Sequence, residues 1–308
     1  MTGVQTCALP IYSVNLSDSV TLTGSIAGGS NNDLVTLANN AILMGTFDGE
    51  AGDDEVDFTG NSLAQDLTLT SATAGSGFNG STATANYLGI ESAIGGTGDD
   101  SLTGLGNIST WEITGSNNTY TDTVSGEVFT FSAFDNANGG ANVDTFNVLF
   151  SATIDLFGGA GDDVFNVSSN ANLTGELNGG ANDDTFNFAG GINVPDTLDG
   201  GSENDVVDFS AGITSVSIGL DGFLNVEIVT GTNLSDTIVG SSGNDIISVT
   251  SNNNGSVNGT LTFIGFEHLQ GAGGDDTFVL ADGFGVSGAI DGGRSEEHTS
   301  ELQSHLNL

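Results

Sequence analysis

The chain has 308 residues, with 40 Asp and Glu residues against a single Lys or Arg, and its formal net charge is −39. This charge excludes nucleic-acid binding through a basic surface, because Lys and Arg are needed to displace the counterions of phosphates. No run of about 18 apolar residues occurs, so the sequence predicts no membrane insertion.

The two ends of the chain differ in composition from everything between them. Residues 1–11 and 294–308 both read as translated sequencing adapter. A nucleotide sequence that encodes Thr2 to Ile11 gives Ser295 to Gln303 when its reverse complement is translated in another frame. We therefore expect both segments to be non-native, and residues 12–293 to be a fragment of a longer chain. That region keeps 37 of the 40 acids, has no Lys, Arg or Cys, and so offers no disulfide and no internal counter-cation.

A hexamer with glycine first and aspartate sixth recurs ten times along this region. The copies begin at Gly28, Gly49, Gly95, Gly139, Gly158, Gly179, Gly200, Gly231, Gly240 and Gly271. The second residue after each terminal Asp is apolar in all ten copies. Alternation of this kind after a glycine-rich turn predicts a short, half-buried strand.

The repeat divides the chain into two regions. Residues 12–138 form a divergent repeat region, in which 59–88 and 105–134 fit the repeat poorly and hold either divergent coils or an inserted hairpin. Residues 139–293 carry the more regular repeat. A second signature, in GIESAIG, NVEIVTG and GFEHLQG, places Glu91, Glu227 and Glu267 four residues before a motif glycine. We interpret the units that contain these glutamates as coils with an extra excursion.

The commonest step between copies is 21 residues, which is enough for a turn, a strand, a loop and a second strand. A unit of this size cannot bury its own apolar row, whereas stacked units form a continuous core. The sequence therefore predicts a parallel β-solenoid with coils of about 21 residues and Gly/Asp-rich turns.

The acids are concentrated in the turns, since 17 of the 37 lie in the ten hexamers. Stacking places equivalent carboxylates about 5 Å apart, the spacing between strands. Two such charges repel by about 1 kcal/mol in water and by more in a protein environment. A hard divalent cation removes this repulsion, and calcium accepts six to eight oxygen ligands in irregular geometry. The fifth-position acids of the hexamers are either second ligands or turn formers.

The hexamer with its following strand, GGAGDDVFN at Gly158 to Asn166, resembles the RTX or haemolysin-type calcium-binding nonapeptide G-G-x-G-x-D-x-U-x. The resemblance implies an all-β fold, a right-handed parallel β-solenoid of the β-roll type, with Ca2+ held between the turns of adjacent coils. By the same resemblance, the metal ligands are Asp33, Asp54, Asp100, Asp144, Asp163, Asp184, Asp205, Asp236, Asp245 and Asp276.

Two departures from the nonapeptide pattern modify these expectations. Tandem nonapeptides repeat every nine residues, whereas a step of 21 suggests one column of ions on one edge. GGANVD and GTNLSD lack the inner glycine, which makes Asp144 and Asp236 weaker candidates.

The resemblance points to a calcium-binding segment of a large secreted or cell-surface bacterial protein, either adhesin-like or an RTX exoprotein. A surface or matrix ligand is a further possible partner. The alternatives are an ion-independent spacer and the repeat tail of a secreted hydrolase whose catalytic domain lies elsewhere. Enzyme activity is not expected in this segment, because one His without Cys or Lys cannot supply a nucleophile with its base and acid.

Overall fold

The computed structural model describes residues 12–190, 195 and 197–293, so the adapter-like segments 1–11 and 294–308 lie outside the described residues. Within the described part the chain forms 31 β-strands and one short 3-10 helix, Leu220–Gly222. The chain divides into two compact units, Met1–Asp163 and Val164–Leu308. The expected all-β class is confirmed.

The first unit contains two sheets, through which the chain passes alternately. In spatial order, sheet 1 consists of β1 (Val14–Leu16), β3 (Leu34–Leu37), β5 (Glu55–Asp57), β9 (Ser92–Ile94), β13 (Val128–Ser132), β12 (Asn118–Asp122), β11 (Ser109–Ile113) and β15 (Asp144–Val148). Sheet 2 consists of β2 (Thr21–Gly29), β4 (Ile42–Glu50), β8 (Ala85–Ile90), β7 (Phe78–Ser81), β6 (Asp66–Ala72), β10 (Ser101–Thr103), β14 (Asn136–Ala141) and β16 (Asp155–Ala160).

The second unit contains three sheets. Sheet 3 consists of β17 (Val164–Val167), β19 (Thr185–Phe188), β21 (Val206–Asp208), β24 (Ile228–Thr230), β28 (Leu261–Ile264), β27 (Asn254–Val257), β26 (Ile246–Ser251) and β30 (Thr277–Leu280). Sheet 4 consists of β18 (Leu177–Ala181), β20 (Leu198–Ser202) and β23 (Phe223–Leu224). Sheet 5 consists of β22 (Ser217–Gly219), β25 (Thr237–Val239), β29 (His268–Gln270) and β31 (Ile290–Asp291).

Most neighbouring strands are parallel and come from successive coils, as in a β-solenoid. The 21-residue period is visible in the register, where Phe165 lies opposite Phe186 and Leu177 lies opposite Leu198. The predicted parallel stacking of coils is therefore present within each unit.

Both poorly fitting segments contain an antiparallel meander. Strands β6, β7 and β8 lie between β4 and β10 in sheet 2, and strands β11, β12 and β13 lie between β9 and β15 in sheet 1. A third meander, β26 to β28, lies between β24 and β30 in sheet 3. The inserted-hairpin interpretation is thus the correct one, extended to three strands.

The apolar residue two places after each motif aspartate lies in the core. All ten are 8 % exposed or less: Val35, Val56, Leu102, Phe146, Phe165, Phe186, Val207, Ile238, Ile247 and Phe278. Phe165 and Phe186 stack with their ring centroids 4.8 Å apart, and Trp111 stacks on Phe146 at 5.4 Å. Because each coil extends the same ladder, burial of these rings holds the turns in register.

Candidate metal-binding turns

The ten hexamers form turns between sheets, and they do not all lead into the same kind of sheet. Asp100 precedes β10 of sheet 2 and Asp236 precedes β25 of sheet 5, whereas the other eight aspartates precede or begin strands of sheet 1 or sheet 3. The nine-residue step from Gly231 to Gly240 spans the single strand β25, so these two turns lie at its opposite ends. Two of the ten motif turns therefore depart from the single edge expected from the 21-residue step, whereas the other eight lead into sheet 1 or sheet 3.

The sixth-position aspartates form a hydrogen-bond ladder between coils. In this ladder the Oδ1 atom of one motif aspartate accepts a bond from the backbone N–H of the motif aspartate in the preceding coil. Four such bonds, with lengths of 2.7 to 3.0 Å, join Asp33 to Asp54, Asp144 to Asp163, Asp184 to Asp205, and Asp245 to Asp276. One carboxylate oxygen of the motif is therefore used to connect neighbouring turns.

The fifth-position residues form a second ladder that runs in the opposite direction. Here the side-chain oxygen accepts a bond from the fifth-position N–H of the following coil. Bonds of this kind join Asp53 to Asn32 at 3.0 Å, Asn204 to Asp183 at 3.0 Å, and Asp275 to Asn244 at 2.7 Å. Asn and Asp serve equally in this role, which favours turn formation over metal ligation for the fifth position.

The first glycine of the hexamer leaves space that two oxygen atoms share. A Cβ on Gly28 would lie 2.5 Å from Oδ2 of Asp33 and 2.8 Å from the carbonyl oxygen of Gly49 in the next coil. A Cβ on Gly49 would likewise collide with Oδ2 of Asp54 and the carbonyl oxygen of Gly89. A carboxylate oxygen and a carbonyl oxygen thus converge on the same place, where neither can donate a hydrogen bond to the other.

The carboxylates fall into two classes according to the second oxygen, Oδ2. In the class that we call open turns, the buried Oδ2 atom has no hydrogen-bond donor among the described residues. The open turns end in Asp33, Asp54, Asp144, Asp205 and Asp276. In the closed turns, Oδ2 accepts the backbone N–H of the second residue of its own hexamer. The closed turns end in Asp100, Asp236 and Asp245, with donors at Gly96, Thr232 and Ser241.

The backbone at the second position of the hexamer separates the two classes. This residue has a positive φ in the open turns, for example 135° at Gly29 and 117° at Gly140, whereas Gly96, Thr232 and Ser241 do not. In the five open turns this second N–H does not donate to Oδ2, whereas it does in the three closed turns. The turns ending in Asp163 and Asp184 share this conformation, with φ of 104° at Gly159 and 108° at Gly180.

The loss of the inner glycine in GGANVD does not prevent an open turn. Asn142 occupies that position with a φ of 69°, a conformation that Asn tolerates better than most residues. The turn that ends in Asp144 therefore has the same arrangement as the regular copies. The structure thus places Asp144 with the open turns and Asp236 with the closed ones, although the sequence ranked the two together.

Burial makes these carboxylates costly to ionise. It raises the pKa of Asp54 to about 6, with a further contribution from the charges of Asp33 and Asp53. It raises the pKa of Asp144 to about 7, despite a hydrogen bond from Ser109. The only Lys or Arg of the sequence is Arg294, so charge compensation has to come from protons or from an added cation.

The donor set of the open turns suits a hard cation. Among the described residues no three His, Cys, Asp or Glu side chains converge on one point, so an ion would take much of its shell from backbone carbonyls. Carboxylate and carbonyl oxygens are the ligands of calcium, whereas zinc prefers His and Cys. The converging oxygens and the space left by the first glycine therefore fit Ca2+.

Four acids outside the hexamers continue the sixth-position ladder. The N–H groups of four motif aspartates donate to them, over distances of 2.6 to 2.9 Å: Asp54 to Glu91, Asp100 to Asp135, Asp205 to Glu227, and Asp236 to Glu267. The sequence analysis identified the three glutamates only as marks of longer coils and did not include Asp135. The signal available for all four was an acid four residues before a motif glycine, because Asp135 precedes Gly139 by the same spacing.

Comparison with known proteins agrees with this geometry. A family model described as peptidase M10 serralysin C terminal matches residues 26–213, which is more than half of the chain. No curated protein matches the chain. None of the described residues belongs to a helix long and apolar enough to cross a membrane. The chain therefore belongs to the serralysin C-terminal family, the non-catalytic, calcium-binding RTX repeat region of secreted proteins.

Proposed function

We propose that this chain is a segment of a secreted or cell-surface bacterial protein in which calcium, bound at the open turns, holds successive coils together. The ligands are Oδ2 of Asp33, Asp54, Asp144, Asp205 and Asp276 with the carbonyl oxygens that face them. Asp163 and Asp184 are included because their turns share the second-position conformation. The single observation that carries the proposal is the convergence of a buried carboxylate oxygen and a carbonyl oxygen without a donor.

The choice of residue at the sixth position supports a requirement for charge. In an open turn asparagine would satisfy the hydrogen bonds better than aspartate, since its oxygen can accept the ladder N–H while its amide donates to the facing carbonyl. The four ladder positions outside the hexamers are also carboxylates and not amides, namely Glu91, Asp135, Glu227 and Glu267, whereas the fifth position of the hexamer has Asn in three copies and Asp in five. A bound cation explains why the negative charge is retained.

Asp100, Asp236 and Asp245 belong to turns in which both carboxylate oxygens accept hydrogen bonds. Such a carboxylate has its negative charge stabilised by N–H donors, as in an anion-binding turn. We therefore propose a structural role for these three, with calcium confined to the other seven turns.

Ion binding of this kind couples to folding. Without a cation the stacked, buried carboxylates oppose association of the coils, because ionised groups are costly to bury without a partner. Calcium that binds only the folded turns stabilises them by mass action. The experiment that tests this is a calcium titration of the full chain followed by far-UV circular dichroism, with magnesium as the control. A transition to β-structure in calcium and not in magnesium is expected. Full β-structure in chelator would overturn the proposal and favour an ion-independent spacer.

The family match favours one further possibility for the parent protein. The matching model describes the C-terminal region of a peptidase family, so a repeat tail attached to a secreted hydrolase is the second candidate. Recovery of the flanking reading frame distinguishes this candidate from an adhesin, because it either encodes a catalytic domain or does not. In both cases we assign the region described here to calcium binding and not to catalysis.

A further inference from the structure

A three-residue turn replaces the hexamer at four places in the chain. The four turns are Gly89-Ile90-Glu91, Ala133-Phe134-Asp135, Asn225-Val226-Glu227 and Gly265-Phe266-Glu267. In each, the first residue has a positive φ, with values of 57°, 56°, 50° and 77°. The second residue is buried and apolar, and the third is an acid. The common pattern is therefore a left-handed residue, an apolar anchor and a carboxylate, which we call the short turn.

The short turn presents the same two groups to the preceding coil as the hexamer does. Its carboxylate accepts the N–H of the preceding motif aspartate, as from Asp54 to Glu91 at 2.6 Å and from Asp205 to Glu227 at 2.8 Å. Its first carbonyl oxygen faces the first glycine of the preceding hexamer, as the oxygen of Gly89 faces Gly49 and that of Asn225 faces Gly200.

The state of the preceding carboxylate divides the four short turns into two pairs. Asp54 and Asp205 belong to open turns, are fully buried, and have an Oδ2 atom without a donor. Asp100 and Asp236, which precede Asp135 and Glu267, belong to closed turns. Only the turns at Glu91 and Glu227 therefore bring two carboxylates and a carbonyl oxygen together around an unsatisfied buried oxygen.

We infer that Glu91 and Glu227 are calcium ligands, each binding an ion together with the preceding aspartate and the first carbonyl of its own short turn. This inference rests on the proposed function and extends it to coils that contain no hexamer. At the second site, Glu227 and Asn225 also line a cavity of about 420 Å3 together with Asp245 and Asn258. Glu267 lies beside a closed turn and binds no ion.

The test counts the calcium ions bound by the full chain, by native mass spectrometry and equilibrium dialysis. The variants Glu91→Gln and Glu227→Gln keep an oxygen that can accept the ladder N–H but remove the charge. The matched variant Glu267→Gln changes the same kind of turn beside a closed aspartate. Glu112→Gln serves as a sheet-surface control, because Glu112 accepts a bond from Asn147 and belongs to no turn.

We expect Glu91→Gln and Glu227→Gln each to lose one ion, or to bind it about tenfold more weakly, because ligand charge sets the affinity of calcium sites. Glu267→Gln and Glu112→Gln should bind as many ions as the wild type. Unchanged stoichiometry and affinity in the first two variants, in a wild type that does bind calcium, would overturn this inference alone. A wild type that binds no calcium would overturn the proposed function and this inference with it.

Circular dichroism in saturating calcium provides the second measurement. A glutamine that is only a weaker ligand permits folding when enough calcium is present. Failure of both Glu91→Gln and Glu227→Gln to fold at any calcium concentration would therefore also contradict the ligand role. It would indicate that the glutamates act only as structural members of the ladder.

Discussion

The backbone N–H of Asp33 donates to Oδ1 of Asp54, 2.7 Å away and 21 residues later in the chain. The other oxygen of Asp54 faces the carbonyl of Gly89 in the coil after that. Asp54 therefore bonds to both neighbouring coils, through its Oδ1 atom to the coil before and through its backbone N–H, which Glu91 accepts, to the coil after. This arrangement makes each open turn sensitive both to the hydrogen-bonding capacity and to the charge of its sixth residue.

The variant Asp54→Asn separates these two contributions. In chelator it should be more stable than the wild type by about 1 kcal/mol, because its amide donates to the facing carbonyl where the wild type has two acceptors. In millimolar calcium it should be less stable than the wild type, because the ion loses a charged ligand. Urea unfolding followed by circular dichroism measures both.

The matched control for this prediction is Asp100→Asn in a closed turn. Both oxygens of Asp100 accept backbone N–H groups. In Asp100→Asn, the amide NH2 would replace one of these oxygens and would point at a backbone N–H, which is also a donor. This variant should be destabilised by about 1–3 kcal/mol with and without calcium. If the two variants behaved alike, the division into open and closed turns would have no energetic meaning.

The first glycine of an open turn should not tolerate a methyl group. The φ of Gly28 is not positive, so the penalty for Gly28→Ala is the collision with Oδ2 of Asp33 and the carbonyl of Gly49. We expect a loss of about 1–3 kcal/mol, the usual cost of overpacking, and weaker calcium binding at that turn. The comparison is Gly219→Ala, where a Cβ meets nothing within 4 Å. Thermal unfolding in calcium gives the melting temperature of each variant. Equal melting temperatures would contradict the steric role that we assign to the first glycine.

Stability without calcium should fall as the pH rises. Burial raises the pKa of Asp54 and Asp205 to about 6 and that of Asp144 to about 7, from an ordinary value of 3.8. Between the ordinary and the raised pKa values, the folded chain binds more protons than the unfolded chain. Protonation therefore stabilises the folded state at low pH, and this stabilisation is lost as the pH rises through about 6 to 7. In chelator, the urea midpoint should therefore be higher at pH 5 than at pH 7.5.

The variant Asp144→Asn is the control for this pH dependence, because the amide does not titrate. Its urea midpoint should change less between pH 5 and pH 7.5 than that of the wild type. An equal change would mean that general repulsion among the surface acids, and not the turn carboxylates, sets the pH dependence. Saturating calcium should flatten the dependence in the wild type, since the ion takes the place of the protons.

The sequence predicted the features that depend on spacing. The fixed distance between each motif aspartate and the buried residue two places later identified all ten core positions, from Val35 to Phe278. The meanders could not be assigned, because their turns have no constant spacing. The open and closed classes could not be predicted either, since they depend on φ at the second position. Glu50 and Ala272 adopt positive values there, whereas Gly96 does not.

Coupling between folding and ion binding predicts that a core substitution far from any turn also weakens calcium binding. Phe186 is fully buried and stacks on Phe165 with ring centroids 4.8 Å apart. Phe186→Ala should cost about 3–5 kcal/mol of folding free energy, the usual range for a buried aromatic ring. If calcium binds only folded turns, part of its binding free energy then has to offset this loss, so the folding transition should move to higher calcium concentration. The exposed Phe284 provides the comparison, and Phe284→Ala should leave the transition in place. Calcium titrations of both variants by circular dichroism measure the shift, and an unmoved transition in Phe186→Ala would show that the turns bind calcium independently of the core.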